Sequence, residues 1–392
     1  MYIWCIIQPK HTNMAKHSYI NNEMIYQKAG FDENSITDYI KTYLNPHICF
    51  NFGWGSLNQE LIKNVIPLPP FDPKIVGVYN SPKGQSEVID LVIDFVNKKS
   101  GQKITREQIM LTNGATNAIF LLAHYFASVK KLDKVILQNP VFDTALNIFN
   151  SQRLNKISVN PDCSDIPDVK NAFAYLIFKF QNPTGISIDK NNKLKIINQI
   201  TKNGNYVIED DSYGLLEKGG KLHLISNPLY IFVSSFSKYI FPGLRLGYII
   251  ANPEIINDLQ VIQKYYNSHP NVMSQYILAQ YLNGSLIESE IKHKTEQIKT
   301  KRELFEKYLS QKIKSNMETT SGGFYYWLRL LPQYSSVEVF VDLLKQGIIT
   351  IPGDIYFSKN PYPSLRLSIS LIDKEKIKEG CELINKALEK YV

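Results

Sequence analysis

The chain is poor in arginine. Of its 392 residues 44 are basic, yet only six of these are arginine, and none precedes Arg106. An arginine-rich transit peptide is therefore not expected at the start. Cysteine is equally sparse. Cys5, Cys49, Cys163 and Cys381 are scattered without paired spacing, which argues against a disulfide framework or a zinc site and for a reducing compartment. No apolar run approaches the ~18 residues of a membrane span, and Tyr2 to Ile7 is too short for a signal core. The expected location is the cytoplasm. The net charge of +8 is spread as lysine along the chain. No basic block is interleaved with aromatics, so no nucleic-acid partner is expected. Internal repeats and low-complexity tracts are absent too.

What remains is an ordinary globular composition, 44% hydrophobic and 20% charged, long enough for two domains. Residues 83–99 carry a helical pattern. Short apolar runs at 108–112, 134–138, 174–178, 206–208, 230–233 and 246–250 read as strands, and helical stretches at 115–126 and 191–201 lie between some of them. This alternation implies an α/β layout with a mainly parallel sheet. Ligands on such sheets sit beyond the carboxyl ends of the strands, and each polar motif below follows a strand. After Pro253 the pattern changes to helices over 254–282 and 284–315, strands at 324–328, 348–351 and 365–369, and a last helix near 373–389. The expected division is an extraneous N-terminus over 1–13 with Met14 as a possible start, a site-covering N-terminal segment over 14–70, a large domain over 71–283 and a smaller α+β domain over 284–392.

The segment Ser234 to Tyr248 is the most informative. A buried strand ends in small hydroxyl residues, followed by Lys238, Pro242-Gly243 and Arg245. A lysine at a strand end with a lowered pKa can capture a carbonyl. An arginine fork nearby suits a phosphate. The pair meets the requirements of pyridoxal 5'-phosphate. Asp210, after the strand at 206–208, can hold a pyridine nitrogen protonated or merely shape a turn. Tyr213, three residues on, can donate to a phenolate oxygen. Gly114, Ala115 and Thr116 open a helix and either receive a phosphate or serve as a plain cap. Asn182, in Asn182-Pro183-Thr184-Gly185, sits in a turn and can reach a ring hydroxyl; Asn-Pro also favours a cis bond. Phe142 can stack on a flat ring or belong to the core. Arg366, within an alternating strand, can grip a carboxylate or lie on the surface.

In this order the motifs resemble the class I/II aminotransferases, the fold-type-I pyridoxal-phosphate enzymes, from about Phe50 to the C-terminus. Tyr79 with Gly84 and Gly322-Gly323-Phe324 complete the series. The nearest subgroup is that of the 2-aminoadipate, kynurenine and aromatic aminotransferases and the catalytic domain of MocR-type regulators. The resemblance implies a large domain with a seven-stranded, mainly parallel sheet sandwiched by helices, plus a smaller α+β domain. Lys238 would hold the cofactor and shuttle a proton. Asp210 would pair with the pyridine nitrogen, and Asn182 and Tyr213 with the ring oxygen. Phe142 stands where the family usually has tyrosine, so a hydroxyl is missing there. Ala115, Thr116, Ser235, Ser237 and Arg245 fall at phosphate positions, with Ala115 in place of a frequent serine. Tyr79 would reach the phosphate of the neighbouring subunit, implying a homodimer with shared sites. Arg366, aided by backbone near Gly55, would clamp the substrate α-carboxylate. No metal is implied.

The implied activity is ping-pong transfer of an amino group from an L-amino acid to a 2-oxo acid such as 2-oxoglutarate. With Arg245 and Arg366 already engaged, and no arginine in the N-terminal segment, an aromatic or long apolar donor is expected over an acidic one. A β-eliminating lyase on the same scaffold is the alternative. A non-catalytic sensor like the MocR regulators ranks lower, because no DNA-binding domain is apparent ahead of the catalytic region.

Overall fold

A computed structural model describes residues 33–392 apart from 46–48, 65, 67–71 and 285. The segment 1–13 and Met14 lie outside the described residues. The elements are α1 (Glu33–Tyr43), β1 (Phe50–Asn51), α2 (Ser86–Ser100), β2 (Ile109–Thr112), α3 (Ala115–His124), β3 (Lys134–Gln138), α4 (Asp143–Ser151), β4 (Asn155–Val159), β5 (Ala172–Leu176), α5 (Lys190–Thr201), β6 (Tyr206–Asp210), β7 (Tyr230–Ser235), β8 (Gly247–Ile250), α6 (Pro253–Asn267) and α7 (Val272–Asn283). They continue with α8 (Leu286–Tyr308), β9 (Tyr325–Arg329), α9 (Ser336–Lys345), β10 (Ile348–Ile349), β11 (Ile351–Pro352), β12 (Ser364–Ser368) and α10 (Ile377–Leu388).

The main sheet has seven strands in the order β2-β8-β7-β6-β5-β3-β4. Strands β3 to β7 run parallel, and β8 runs against both of its neighbours. Both faces are covered, so the central strands are apolar throughout rather than alternating. In β7, Tyr230 and Phe232 pack into one core layer while Ile231 and Val233 pack into the other. A second, smaller α+β layer is built on the antiparallel sheet β11-β12-β9. Strand β1 pairs in parallel with β10, which ties the N-terminal segment to this layer.

Three expectations need correction. The expected helix over 254–282 is two helices, because Ser268 takes a left-handed φ of 60° and Pro270 follows it, and proline removes a helical donor and clashes with the preceding turn. The helix expected over 284–315 ends at Tyr308, leaving only a short turn at Gln311–Lys314. The apolar stretch at 348–351 is not one strand: Ile348–Ile349 pairs with β1 and Ile351–Pro352 with β12. Strand β4, at the sheet edge, carries the mixed sequence Asn-Lys-Ile-Ser-Val and has no counterpart among the expected strands.

Candidate active site

Parallel strands deliver their carboxyl ends to one rim. Thr112 ends β2 and Gly114 follows it, Phe142 follows β3, Asn182 follows β5, Asp210 ends β6, and Ser235 and Lys238 end or follow β7. Strand β8 runs the other way, so its beginning lies at the same rim and brings Arg245 there. A cavity of about 290 Å³ opens at this rim, lined by Gly55, Ala115, Thr116, Phe142, Asp143, Asn182, Asp210, Tyr213, Ser235, Ser237, Lys238, Arg245, Tyr325 and Arg366. Gly114 stands just behind Arg245: an added Cβ would come within 3.0 Å of its Nη2, and φ is +86°. The positive φ favours glycine there, and a Cβ would press on the Arg245 guanidinium. Tyr79 lies away from the cavity lining, 89% exposed, with its ring edge-on to His269.

Alternation along β6 separates three consecutive acids. Glu209 points into one layer, where buried Lys193 donates to it at 2.6 Å and Tyr230 donates to its other oxygen. Asp210 points the opposite way, into the cavity. Its Oδ2 accepts from the Tyr175 hydroxyl at 2.7 Å and its Oδ1 from Ser212 at 2.7 Å. Burial raises the Asp210 pKa, and the Ser212 and Tyr175 hydroxyls pull it back down. Asp211 is tied to the Gly214 amide at 2.6 Å.

Lys238 Nζ donates to the Gly55 carbonyl at 2.6 Å. Burial, and then the like charges of Arg366 and Arg245, bring its pKa down to about 8. A charged ammonium is disfavoured by both causes. Arg366 is fully enclosed. Its Nη1 donates to Asn182 Oδ1 and its Nη2 to the Gly53 carbonyl, each at 2.9 Å, while Nε has no partner. Its guanidinium lies 4.5 Å from the Tyr325 ring centroid and 5.1 Å from that of Tyr356. Burial works against its charge, but these tyrosines and Asp143 hold it on, and its pKa is raised. Gly55 sits against the Tyr325 hydroxyl so closely that any Cβ would collide with it. That hydroxyl is 3.4 Å from the hydroxyl of Tyr213.

The Ser237 hydroxyl is buried without a partner. The Ser235 hydroxyl donates to the Leu246 carbonyl at 3.3 Å and accepts from the Ser237 amide at 3.1 Å. Pro140 and Pro183, after β3 and β5, follow cis peptide bonds. Sequence reading missed Tyr175, Asp143 and Tyr325. Tyr325 had a partial signal in its place beside Gly322-Gly323-Phe324.

The residues present fit pyridoxal phosphate. An unpartnered buried hydroxyl at Ser237, the glycine-backed Arg245 and the amino end of α3 suit a phosphate. A desolvated lysine and a buried, hydrogen-bonded carboxylate at Asp210 suit the ring's aldehyde and its nitrogen. Among the described residues no cluster of histidine, cysteine and acids could hold a metal.

Comparison with known families agrees with this geometry. The model of the family described as aminotransferase class I and II matches residues 49–384. The chain belongs to that family. Membership makes pyridoxal phosphate its cofactor and transamination its class of reaction. Among curated proteins, the chain is similar to the HTH-type transcriptional regulator NorG of Staphylococcus aureus, 28% identical over 326 residues, or 77% of this chain and 71% of NorG. Aromatic-amino-acid aminotransferase 1 of Thermococcus litoralis is 22% identical over 79% of each chain. Among solved structures, a kynurenine aminotransferase from Pyrococcus horikoshii superposes with a TM-score of 0.78 at 20% identity, covering 95% of this chain and 97% of that one. The alpha-aminoadipate aminotransferase LysN from Thermus thermophilus, complexed with N-(5'-phosphopyridoxyl)-L-leucine, gives 0.74 at 22% identity over 90% and 94%. These aminotransferases share the fold-type-I architecture. No described helix is long and apolar enough to cross a membrane.

Proposed function

We propose that this aminotransferase takes its amino group from a neutral L-amino acid, aromatic or long and apolar, and passes it to a 2-oxo acid in a ping-pong order. The observation that carries the reading is the juxtaposition of Lys238, desolvated and flanked by two arginines, with the enclosed fork of Arg366 across one cavity. Pyridoxal phosphate, when bound, supplies an amine-capturing aldehyde and a ring that draws electrons from the bond being broken.

The chain's own residues do the rest. Arg366 exchanges its internal hydrogen bonds to Asn182 and Gly53 for the substrate α-carboxylate. Lys238 Nζ, its pKa brought down to about 8, takes a proton at the substrate Cα and returns it on the other side of the exchange. Asp210, held by Tyr175 and Ser212, keeps a proton on the ring nitrogen. Ser237, Thr116 and Arg245 hold the phosphate, and Phe142 covers a ring face. Tyr79, exposed on this subunit, reaches the site of a second copy. Donor and acceptor use the same Arg366 in turn.

The donor preference follows from charge. Among the described residues, the only cations lining the cavity are Lys238, Arg245 and Arg366, each with a task. Initial rates with phenylalanine, leucine, aspartate and 2-aminoadipate, each against pyruvate and 2-oxoglutarate, test it. A clear preference for the acidic pair would sink the donor assignment.

A second reading has one observation behind it, the similarity to NorG regulators over most of this chain. In that reading the same site senses an amino acid without turning it over. The rate panel separates the two: a sensor changes the cofactor absorption without releasing a 2-oxo acid. Ammonia release in the same samples would instead signal elimination.

A further inference from the structure

Asp143 has no role in the chemistry above. It begins α4, directly after Phe142. A carboxylate at that position ordinarily does no more than complement the amino end of its helix. Here the side chain is only 3% exposed, it lines the cavity, and its Oδ2 has no hydrogen-bond partner. A buried carboxylate oxygen left without a donor is costly, and such groups mark places where a ligand completes the set. Asp143 lines the same cavity as the carboxylate clamp Arg366, whose positive charge it helps to hold. Both Nη groups of that clamp bond instead to Asn182 and Gly53.

We propose that Asp143 is a specificity-determining residue, which excludes a second carboxylate from the substrate while admitting neutral side chains, whether apolar or hydrogen-bond donating. The inference rests on the transaminase reading of this site. With Arg245 on a phosphate, Arg366 on an α-carboxylate and Lys238 engaged with the cofactor and the substrate Cα, a side-chain carboxylate would enter a dry site with no cavity-lining cation among the described residues left for it and with Asp143 already present. Like charges in such surroundings repel strongly, and the incoming group would lose its hydration without compensation. An amide or hydroxyl at the same place would bring no like charge and could donate to the Asp143 carboxylate. Discrimination of this kind works by repulsion as much as by attraction. Because both half-reactions share the site, the rule applies to the acceptor too, which makes a monocarboxylic 2-oxo acid such as pyruvate a better acceptor than 2-oxoglutarate.

The test uses two unreactive ligands of one shape, adipate and its monoamide, which differ only in carboxylate against carboxamide. Dissociation constants are measured on the cofactor-loaded protein by calorimetry. The wild type is expected to bind the monoamide roughly tenfold or more tightly than adipate, and Asp143→Asn to bring the two within about threefold. A ratio unchanged in Asp143→Asn, with circular dichroism matching the wild type, would overturn the assignment. So would a wild type that binds adipate as tightly as the monoamide, a result that needs no variant. A variant that alters the pH titration of the cofactor spectrum and leaves the ligand ratio intact would place Asp143 in the service of the cofactor and likewise overturn it. If the ligand ratio behaves as expected while no amino acid is transaminated, the transaminase reading fails and the selectivity of Asp143 stands.

Discussion

Replacing Tyr175 by phenylalanine removes one hydroxyl at a position where everything else is packed. Tyr175 is fully buried in β5, and its hydroxyl donates at 2.7 Å to Asp210, two residues beyond its register partner Ile208 on the neighbouring strand. A hydrogen bond to an ionised group contributes about 1.5–3 kcal/mol, and removing one partner leaves the other to bear its desolvation. Asp210 keeps only Ser212 as a side-chain donor. The loss divides between two observables. Where Asp210 stays ionised in the cofactor-free protein, it reads as lost stability. Where Asp210 turns neutral, it reads as lost cofactor affinity, because the ring nitrogen then meets an acid instead of a carboxylate. The sum is the prediction: Tyr175→Phe at pH 8 loses about 1.5–3 kcal/mol over the two together, equivalent to roughly a tenfold to hundredfold weaker hold on the cofactor if affinity takes it all. Burial raises the folded pKa of Asp210. The stability linked to its neutral form is therefore present in acid and lost as pH rises through that pKa. Tyr175→Phe raises the pKa further, so its deficit widens toward alkaline pH and fades in acid. Urea unfolding of the cofactor-free protein, paired with cofactor titration, measures both parts. Changes below about 0.5 kcal/mol in both, which is the scatter of an ordinary surface substitution, would refute the idea that Tyr175 maintains the Asp210 charge.

Three substitutions at two positions probe the other charged groups. Lys238→Ala should cost at least about a hundredfold to ten-thousandfold in turnover with the fold retained, read by a coupled 2-oxo acid assay. In the cofactor-free protein Lys238→Met should stabilise at pH 7, on the order of 3 kcal/mol given a folded pKa of about 8. A lysine pKa depressed on folding carries stability at high pH that is lost as pH falls, so the gain should vanish near pH 10.5, about the ordinary lysine pKa; thermal unfolding at the two pH values checks the sign. Arg366→Lys keeps the charge and loses the fork, so KM for the donor should rise about tenfold or more, with the cofactor spectrum unchanged.

The parts of this site that could be read in the sequence are those written in contiguous residues. Ser235 to Arg245 is a strand, a turn and a strand, and its chemistry is local. Asp210 was one of three neighbouring acids, and only the pairing of β6 within the sheet decides which of them faces the cavity. Tyr175 sits in Ala-Phe-Ala-Tyr-Leu, which reads as plain core; its partner is 35 residues away on the next strand and meets it through register. Asp143 looks like any acid at a helix start until its surroundings are known. The break between α6 and α7 did have a local sign in Pro270, but the apolar periodicity on either side conceals it. Strand β4 escapes notice because an edge strand needs no continuous apolar run.

The reversed direction of β8 has a mechanical consequence. The chain leaves β7 and returns into β8 through residues 236–246, and both ends of that excursion are pinned by the register Ser234 to Tyr248 and Ser235 to Gly247. Lys238 and Arg245 thus ride on one closed loop whose length is set at both feet. The span between the amine and the guanidinium is a ruler cut into the backbone. Adding or removing one residue there would re-gauge that span while leaving in place the cavity side chains that other elements supply.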